Sequence, residues 1–588
     1  MRIQFTKGFQ ILLIICLGIL IYANSLHGEF LSDDICLVKN NTHIKNWSNI
    51  QEVFSGGRAL GCGKAVDFYR PMQMVSYMFD YSFWRLDPFG YHLTNLFLHI
   101  LVSLCVFWML FLVYKKRSIA FISSLLFLAH PLQVESVAYI SGRADLLAAL
   151  GVLLCFIFYL KQYDSSSPFK YALILLSYLF ALCSKEFSLV VPAVLILHSL
   201  VFGRRILLKE FISISAISSV YILTRILGYA GVTSAPPTSF LQRLPGFFVA
   251  LTEYFRLLFA PLDLHMDYGT KLFAFSDPKA LSGLALLLLL VLLVFKCRRL
   301  TEVSFPVCWF LITLLPQSNL YPLNAFMSEH WLYLPSIGFF AVMANGLAAL
   351  YSYPRQKSLA QGLLILAVFS YSYLTINQNS YWHDPITHYE RTLQYAPDDW
   401  SLYYNLGINY ADQGMNEKAL DSFGKALQLN SREISVYCNL SNVYALTGDN
   451  RSSAAVLRKA IGISPANPYL YYLLGNSLYD DKQEDQALSA YLEAIQLADY
   501  VLAYNGIGKI YYKRGQKQSA QKFFNSAISR LSEVIKLEPD LDLAHNNLAE
   551  AYYYTGQYEL ALRHCNKALE LGYKVSGELL DQLKPYRR

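Results

Sequence analysis

PFGYHLTNLFLHILVSLCVFWMLFLVY, Pro88–Tyr114, runs for 27 residues without an Asp, Glu, Lys or Arg. A helix rises 1.5 Å per residue, so this run is long enough to cross a hydrocarbon core of about 30 Å. It ends on Lys115-Lys116-Arg117, the basic flank that marks the cytoplasmic end of a span. Working outward, further uncharged runs lie at Gly8–Gly28, Ser118–Val134, Leu146–Leu160, Tyr171–Ser184, Phe187–Gly203, Phe211–Thr224, Ala280–Phe295, Val303–Ser328, His330–Pro354 and Ser358–His383. Pro316 interrupts the run from Val303 and ends that span. The composition agrees: of 588 residues, 54% are hydrophobic and 15% charged, which excludes a disordered chain. The net charge of +7 is modest, and its basic clusters sit between apolar runs. They read as topology signals, not as a nucleic-acid surface.

Those clusters are Arg2 with Lys7, Lys115-Lys116-Arg117, Arg204-Arg205 with Lys209, Lys296 with Arg298-Arg299, and Arg355 with Lys357. All can be cytoplasmic only if an even number of spans separates each from the next. Three candidates lie between Lys209 and Lys296, so one does not cross. Leu244–Ala260 carries Glu253 and Arg256 and is assigned to the interface or a re-entrant turn. About 11 spans remain, in an all-α membrane domain over residues 1–383. Arg2 and Lys7 also fit a signal peptide, with Ala23 and Ser25 as small residues near its end; an uncleaved first helix is preferred. The N-terminus is then cytoplasmic and the C-terminal half faces outside, into a periplasm or an endoplasmic reticulum lumen. Sequons at Asn40, Asn46, Asn439 and Asn450 fall on that side.

The same topology gathers six polar segments on the outer side: the first loop (residues 24–91), His130–Arg143, Ser184–Glu186, Tyr229–Arg243, Asp263–Lys279 and Pro316–Glu329. Polar residues at membrane level are costly and mark functional positions. The first loop opens GEFLSDDICLVKN, Gly28–Asn40, and closes DFYRPMQMVSY. Asp33-Asp34 suits a general base, with Asp34 slightly ahead of Asp33, and also suits a divalent metal; read alone, it is as well explained by a loop turn. Arg70, before a helix-starting Pro71, suits a phosphate clamp or an interfacial charge. AHPLQVESVAYISGRAD, Ala129–Asp145, holds His130, Glu135, Arg143 and Asp145. Lys185-Glu186 reads as an internal ion pair or a phosphate-binding lysine. Arg225, Glu329 and His330 stand at other outer ends. Gly56 to Lys64 is glycine-rich but lacks the GxxxxGK[ST] spacing of a phosphate loop. Ten cysteines include no CxxC, so there is no zinc signature; Cys36 and Cys62 share the first loop and are a candidate pair.

Residues 384–588 change character. Leu406, Leu440, Leu474, Ile507 and Leu548 recur at steps of 34, 34, 33 and 41 residues, and Ala426, Ala460, Ala494, Ala527 and Ala568 repeat those steps. A 34-residue period with small residues at helix crossings is the tetratricopeptide (TPR) pattern. The 41-residue step is 34 plus 7, about two extra helical turns, placed in the second helix of the fourth repeat. Pro385–Pro397 reads as a leading half-repeat. Asn405, Asn439 and Asn547 share one register and Asn442 and Asn476 another. They are candidates to hold a peptide backbone, or plain solvated positions.

The order SDD, YRP, GYHLTNLFLH, HPLQVESVAYISGRAD, SKE and LPQSNLYPLNAFMSEHWLYLPSIGF, followed by TPRs, resembles the transmembrane and TPR repeat-containing proteins. These are similar to protein O-mannosyltransferases, of the GT-C glycosyltransferase type. After Glu329, where the family tends to carry Arg, this chain has His330. The resemblance implies a GT-C-type membrane domain and a polyprenyl- or dolichyl-phosphate sugar donor, usually mannose. It implies inverting transfer to a Ser or Thr hydroxyl, with Asp33 or Asp34 as base and Arg70, His130, Arg143 or Lys185 on the lipid phosphate. No metal is required by that chemistry. The TPRs would recruit the polypeptide. Two other readings remain open: a catalytically silent membrane scaffold, and a transferase acting on a lipid or envelope glycan.

Overall fold

The computed structural model describes residues 6–55, 68–229, 238–320, 322–323 and 325–587. The stretch from Gly56 to Lys64 lies outside them. Among the described residues the chain is built from helices and turns, and it divides into two compact units, Met1–Pro397 and Asp398–Arg588.

The first unit holds α1 (Lys7–Tyr22), α2 (Ile50–Ser55), α3 (Pro71–Trp84), α4 (Pro88–Tyr114), α5 (Arg117–Ala129), α6 (Val134–Ala138), α7 (Arg143–Asp164) and α8 (Pro168–Leu182). It continues through α9 (Val191–Phe202), α10 (Leu208–Tyr229), α11 (Phe240–Phe259), α12 (Pro278–Lys296), α13 (Thr301–Leu314), α14 (Ser336–Ser352), α15 (Lys357–Ser380) and α16 (Pro385–Leu393). Every expected span is a helix. Six segments of the described chain are long and apolar enough to cross a membrane, and a seventh is if the bent pair α5 and α6 counts as one. That pair turns by 60° at His130-Pro131, where proline removes a backbone donor. α8, α9 and α14 are shorter apolar helices, and α13 has only 14 residues. Their polar ends pair within the protein, as the site below shows.

α4, α5, α7 and α14 form the centre of this unit. Val102, Val106, Leu126, Leu153, Phe156 and Phe340 are all buried in one continuous cluster. α11, the segment not expected to cross, is also part of it. Its inner face buries Leu251, Leu257 and Leu258, and Glu253 pairs with Lys279 and Arg256 at 2.6 Å each.

The second unit is a series of helical pairs: α17 (Trp400–Asp412) with α18 (Asn416–Leu429), α19 (Ile434–Leu446) with α20 (Asn450–Ile463), α21 (Pro468–Asp480) with α22 (Glu484–Ala498), α23 (Ala503–Lys513) with α24 (Lys517–Leu537), and α25 (Asp542–Tyr554) with α26 (Tyr558–Glu570), closed by α27 (Gly577–Leu583). Within three of the pairs a glycine of the first helix faces a ring of the second. A Cβ on Gly407, Gly475 or Gly508 would come within 2.7 Å of Phe423, Tyr491 or Phe524. α24 is 21 residues long, against 13 to 15 for the second helices of the other pairs; the extra turns fall where the 41-residue step puts them.

Candidate functional site

The six polar segments meet. Each is tied to another by side-chain contacts, so one end of the first unit carries a continuous polar layer. Asp34 of the first loop accepts from the Ser141 backbone N–H at 2.8 Å and from the Ser141 hydroxyl. Arg70, at the other end of that loop, pairs with Glu186 at 2.8 Å. Lys185 gives 2.8 Å contacts to both oxygens of Asp145. Glu135 accepts from the His330 backbone N–H at 2.8 Å and lies 2.7 Å from its ring Nδ1. Glu329 accepts from the His265 backbone N–H at 2.6 Å and the Tyr268 hydroxyl at 2.7 Å. Arg243 donates to the carbonyls of Asn319 and Leu320.

Local chemistry explains the shape of the acidic turn. Asp34 reaches back to the Leu31 backbone N–H at 3.0 Å, closing a tight loop, as short acidic side chains do at turns. Ser32 beside it has φ of 45°, a left-handed conformation that costs a non-glycine residue energy and is held by its surroundings. The result separates the pair. Asp34 is fully buried, whereas Asp33 is exposed, its backbone N–H donating to the Tyr139 hydroxyl at 3.0 Å. Burial raises Asp34 to about 7, against the lowering effect of the Ser141 and Leu31 hydrogen bonds. Burial also raises Glu329 well above the usual carboxylate range, and the neighbouring Glu135 charge adds to it.

Gly142 lets the 130–143 segment fold this closely. A Cβ there would lie 2.7 Å from the Glu135 carbonyl oxygen and 2.8 Å from Ser136 Cα. The next residue, Arg143, is completely buried. It pairs with Asp80 at 2.5 Å and donates to Asn95 Oδ1 at 2.7 Å and to the Tyr91 carbonyl at 2.8 Å, with its guanidinium over the Tyr77 ring. It braces α3, α4 and α7.

Of the four candidate cations for the phosphate, Arg143 and His130 are both engaged within the protein itself. His130 is buried on the rings of Phe340 and Tyr371. Its Nδ1 accepts from the Leu132 N–H and its Nε2 faces the Leu258 carbonyl at 3.2 Å. The helix bend at Pro131 creates that need, because it frees a backbone N–H that the imidazole caps. Arg70 and Lys185 differ: the Arg70 side chain is 18% exposed and pairs with a Glu186 that is 44% exposed, whereas Lys185 is 7% exposed. Arg225 lies half-buried on α10.

Asp80, Asn95 and Ser141 were not singled out from sequence. Asp80 is the one charged residue within α3, and that isolation was the available signal; Asn95 and Ser141 carry none. Among the described residues, no three His, Cys, Asp or Glu side chains gather to hold a metal ion. Cys36 is disulfide-bonded; its candidate partner Cys62 lies outside the described residues.

In the second unit the asparagines part company. Asn547 is buried and bonds to Leu543 and Asn505. Asn476 accepts from the Tyr491 hydroxyl at 2.7 Å and Asn439 donates to the Tyr404 hydroxyl at 2.9 Å. Asn405 is half-buried and Asn442 is exposed. Three of the five therefore hold the repeats together.

Apolar helices topped by a buried polar layer, followed by a helical-repeat unit, define a membrane protein with a TPR solenoid. The tetratricopeptide repeat family matches residues 400–432, 434–467, 468–499, 501–530 and 542–573. The chain's curated homologues are protein O-mannosyl-transferases of the TMTC type. It is 26% identical to protein O-mannosyl-transferase F38B6.6 of Caenorhabditis elegans, over 71% of this chain and 62% of that one. It is 27% identical to human TMTC1 (73% and 56%) and 24% identical to mouse TMTC3 (88% and 63%). The chain thus spans about six-tenths of the length of these relatives. Among solved structures, a TPR protein described as having an unusual peptide-binding site, YrrB, aligns at 23% identity with a TM-score of 0.22, over 34% of this chain and 97% of that one.

Proposed function

We propose that this protein is a membrane glycosyltransferase that moves a sugar, mannose by analogy with its relatives, from a polyprenyl- or dolichyl-phosphate donor to a Ser or Thr hydroxyl of a polypeptide. The observation that carries the proposal is the polar layer, which holds an exposed carboxylate and two paired cations at one end of a bundle of apolar helices. Asp33 acts as the general base. Its carboxylate is exposed, whereas Asp34 already accepts three hydrogen bonds. The acceptor oxygen attacks the anomeric carbon as its proton passes to Asp33. The bond from that carbon to the phosphate oxygen breaks on the opposite face, and the configuration inverts.

The electron pair leaves with the lipid phosphate, which needs positive charge. Arg70 supplies it by exchanging the exposed Glu186 for the phosphate; a guanidinium fork suits both partners. Lys185 adds charge from behind, held by Asp145. Asp34 is a positioning residue that fixes Ser141 and the turn carrying Asp33. The site faces the lumenal or periplasmic side, and the TPR unit brings the polypeptide.

The test is sugar transfer in liposomes, with polyprenyl-phosphate mannose as donor and Ser/Thr-rich peptides as acceptors. Asp33→Asn should lower transfer by about 10² to 10⁴, and Arg70→Ala by about a hundredfold. Transfer that survives both substitutions would overturn the assignment. A wild type inactive with every donor tried, whose TPR unit still captures partners, would favour a membrane scaffold.

A further inference from the structure

At the opposite end of the first unit, the start of α1 and the end of α4 enclose a cleft of about 310 Å³. The segment Lys7–His27, which begins with α1, and α4 are each long and apolar enough to cross a membrane. α4 is 27 residues long, so its last turn lies about 40 Å from its first. Its first turns reach the polar layer, where Tyr91 and Asn95 hold Arg143; the cleft is a separate feature.

Its walls are apolar: Ile11 from α1, and Phe107, Trp108 and Phe111 from α4. Its charged lining residues are both cations, Lys7 and Arg117. Both are exposed, and neither forms an ion pair among the described residues. A third cation, Lys161, sits 4.2 Å over the Trp108 ring. Nearby Lys116, by contrast, is paired with Glu302 at 2.8 Å. Two unpaired cations at the mouth of an aromatic cleft, at the end of two spans, match a molecule with an anionic head and an apolar tail.

We propose that this cleft binds an anionic phospholipid, with Lys7 and Arg117 on the headgroup phosphate and Trp108, Phe107, Phe111 and Ile11 against the start of an acyl chain. The charge complementarity, at the end of two membrane-length spans, commits the cleft to an anionic lipid. Basic residues near a membrane surface favour anionic over zwitterionic lipids by about fivefold each.

The experiment uses the full chain purified in detergent, titrated with phosphatidylserine or phosphatidylcholine and read by native mass spectrometry. Wild type should retain phosphatidylserine at least about tenfold more strongly than phosphatidylcholine. Lys7→Ala/Arg117→Ala should abolish that preference. Both side chains are exposed, so the fold is kept, and an unchanged melting temperature checks it. Arg298→Ala/Arg299→Ala, a basic pair elsewhere in the chain, should leave the preference intact. Equal retention of the two lipids would overturn the proposal. So would an equal loss in the Arg298/Arg299 variant, or displacement of the lipid by millimolar inorganic phosphate, which would mark a bare anion site.

Discussion

Two arginine–carboxylate pairs stand in the same polar layer and do different work. Arg143 and Asp80 are sealed, at 0% and 1% side-chain exposure; Arg70 and Glu186 are open, at 18% and 44%. A sealed pair cannot exchange its partner without leaving a charge in a low-dielectric interior, so it acts as a brace. An open pair can trade one anion for another at small cost. The comparison teaches that residue type alone does not mark a brace; burial does, and it is the open pair that is proposed to meet the phosphate.

Breaking the sealed side should have the largest effect. Arg143→Ala leaves Asp80 buried without its cation and should cost about 3–5 kcal/mol, read as a loss of folded protein or a large drop in melting temperature. Arg143→Lys should rescue little, because one ammonium cannot reach Asp80, Asn95 and the Tyr91 carbonyl together. On the open side the order reverses. Arg70→Ala should leave melting nearly unchanged and lower sugar transfer by about a hundredfold, and Asp33→Asn by about 10² to 10⁴. An Arg70 variant that unfolds would erase the distinction.

A smaller effect sharpens it by pH. Asp34 is raised from 3.8 to about 7 in the folded protein, so the folded state holds its proton more tightly than the unfolded chain. Its contribution to stability is then full below about pH 4 and is lost as pH rises through about 7. Asp34→Asn should flatten the melting temperature across that window, while Asp33→Asn should leave the slope in place. The smallest contrast lies in the repeats. Asn547→Ala should destabilise the second unit by about 1 kcal/mol, since it removes a buried side chain that donates to the Leu543 carbonyl, while Asn442→Ala should stay within about 0.5 kcal/mol. Chemical denaturation of the full chain, followed on the TPR unit, separates the two.

Much of this architecture was legible because it rests on period and on runs. Uncharged stretches such as Pro88–Tyr114 fix helices by length, and the spacing from Leu406 to Leu548 fixes the repeats, down to the lengthened α24. The meeting of the six polar segments was legible from topology alone. What each residue does there was not. His130 looks like a ligand in sequence, yet it caps a backbone N–H freed by the Pro131 bend. Asp80 lies far in sequence from the Arg143 it balances, and nothing in PMQMVSYMFDYSFW names the partner. Asn439, Asn476 and Asn547 share repeat registers with plausible ligands, but the amides of Asn439 and Asn476 are used between helices and that of Asn547 within α25. Such pairings depend on three-dimensional neighbours that spacing does not encode.

The two added turns of α24 carry a consequence for how the repeat array comes apart. Repeat proteins unfold as linked units, each coupled mainly to its neighbours, and stay cooperative while the interfaces are alike. Buried clusters run along the array: one from Tyr437 to Ile510, one from Tyr504 to Ala551 that joins α23 and α24 to α25, and one from Ala549 to Leu583. A helix about 10 Å longer than its counterparts makes the junction with the fifth repeat unlike the others. Because α25 shares its buried cluster with the lengthened α24, the last two pairs with α27 are placed to open together while the earlier repeats stay closed.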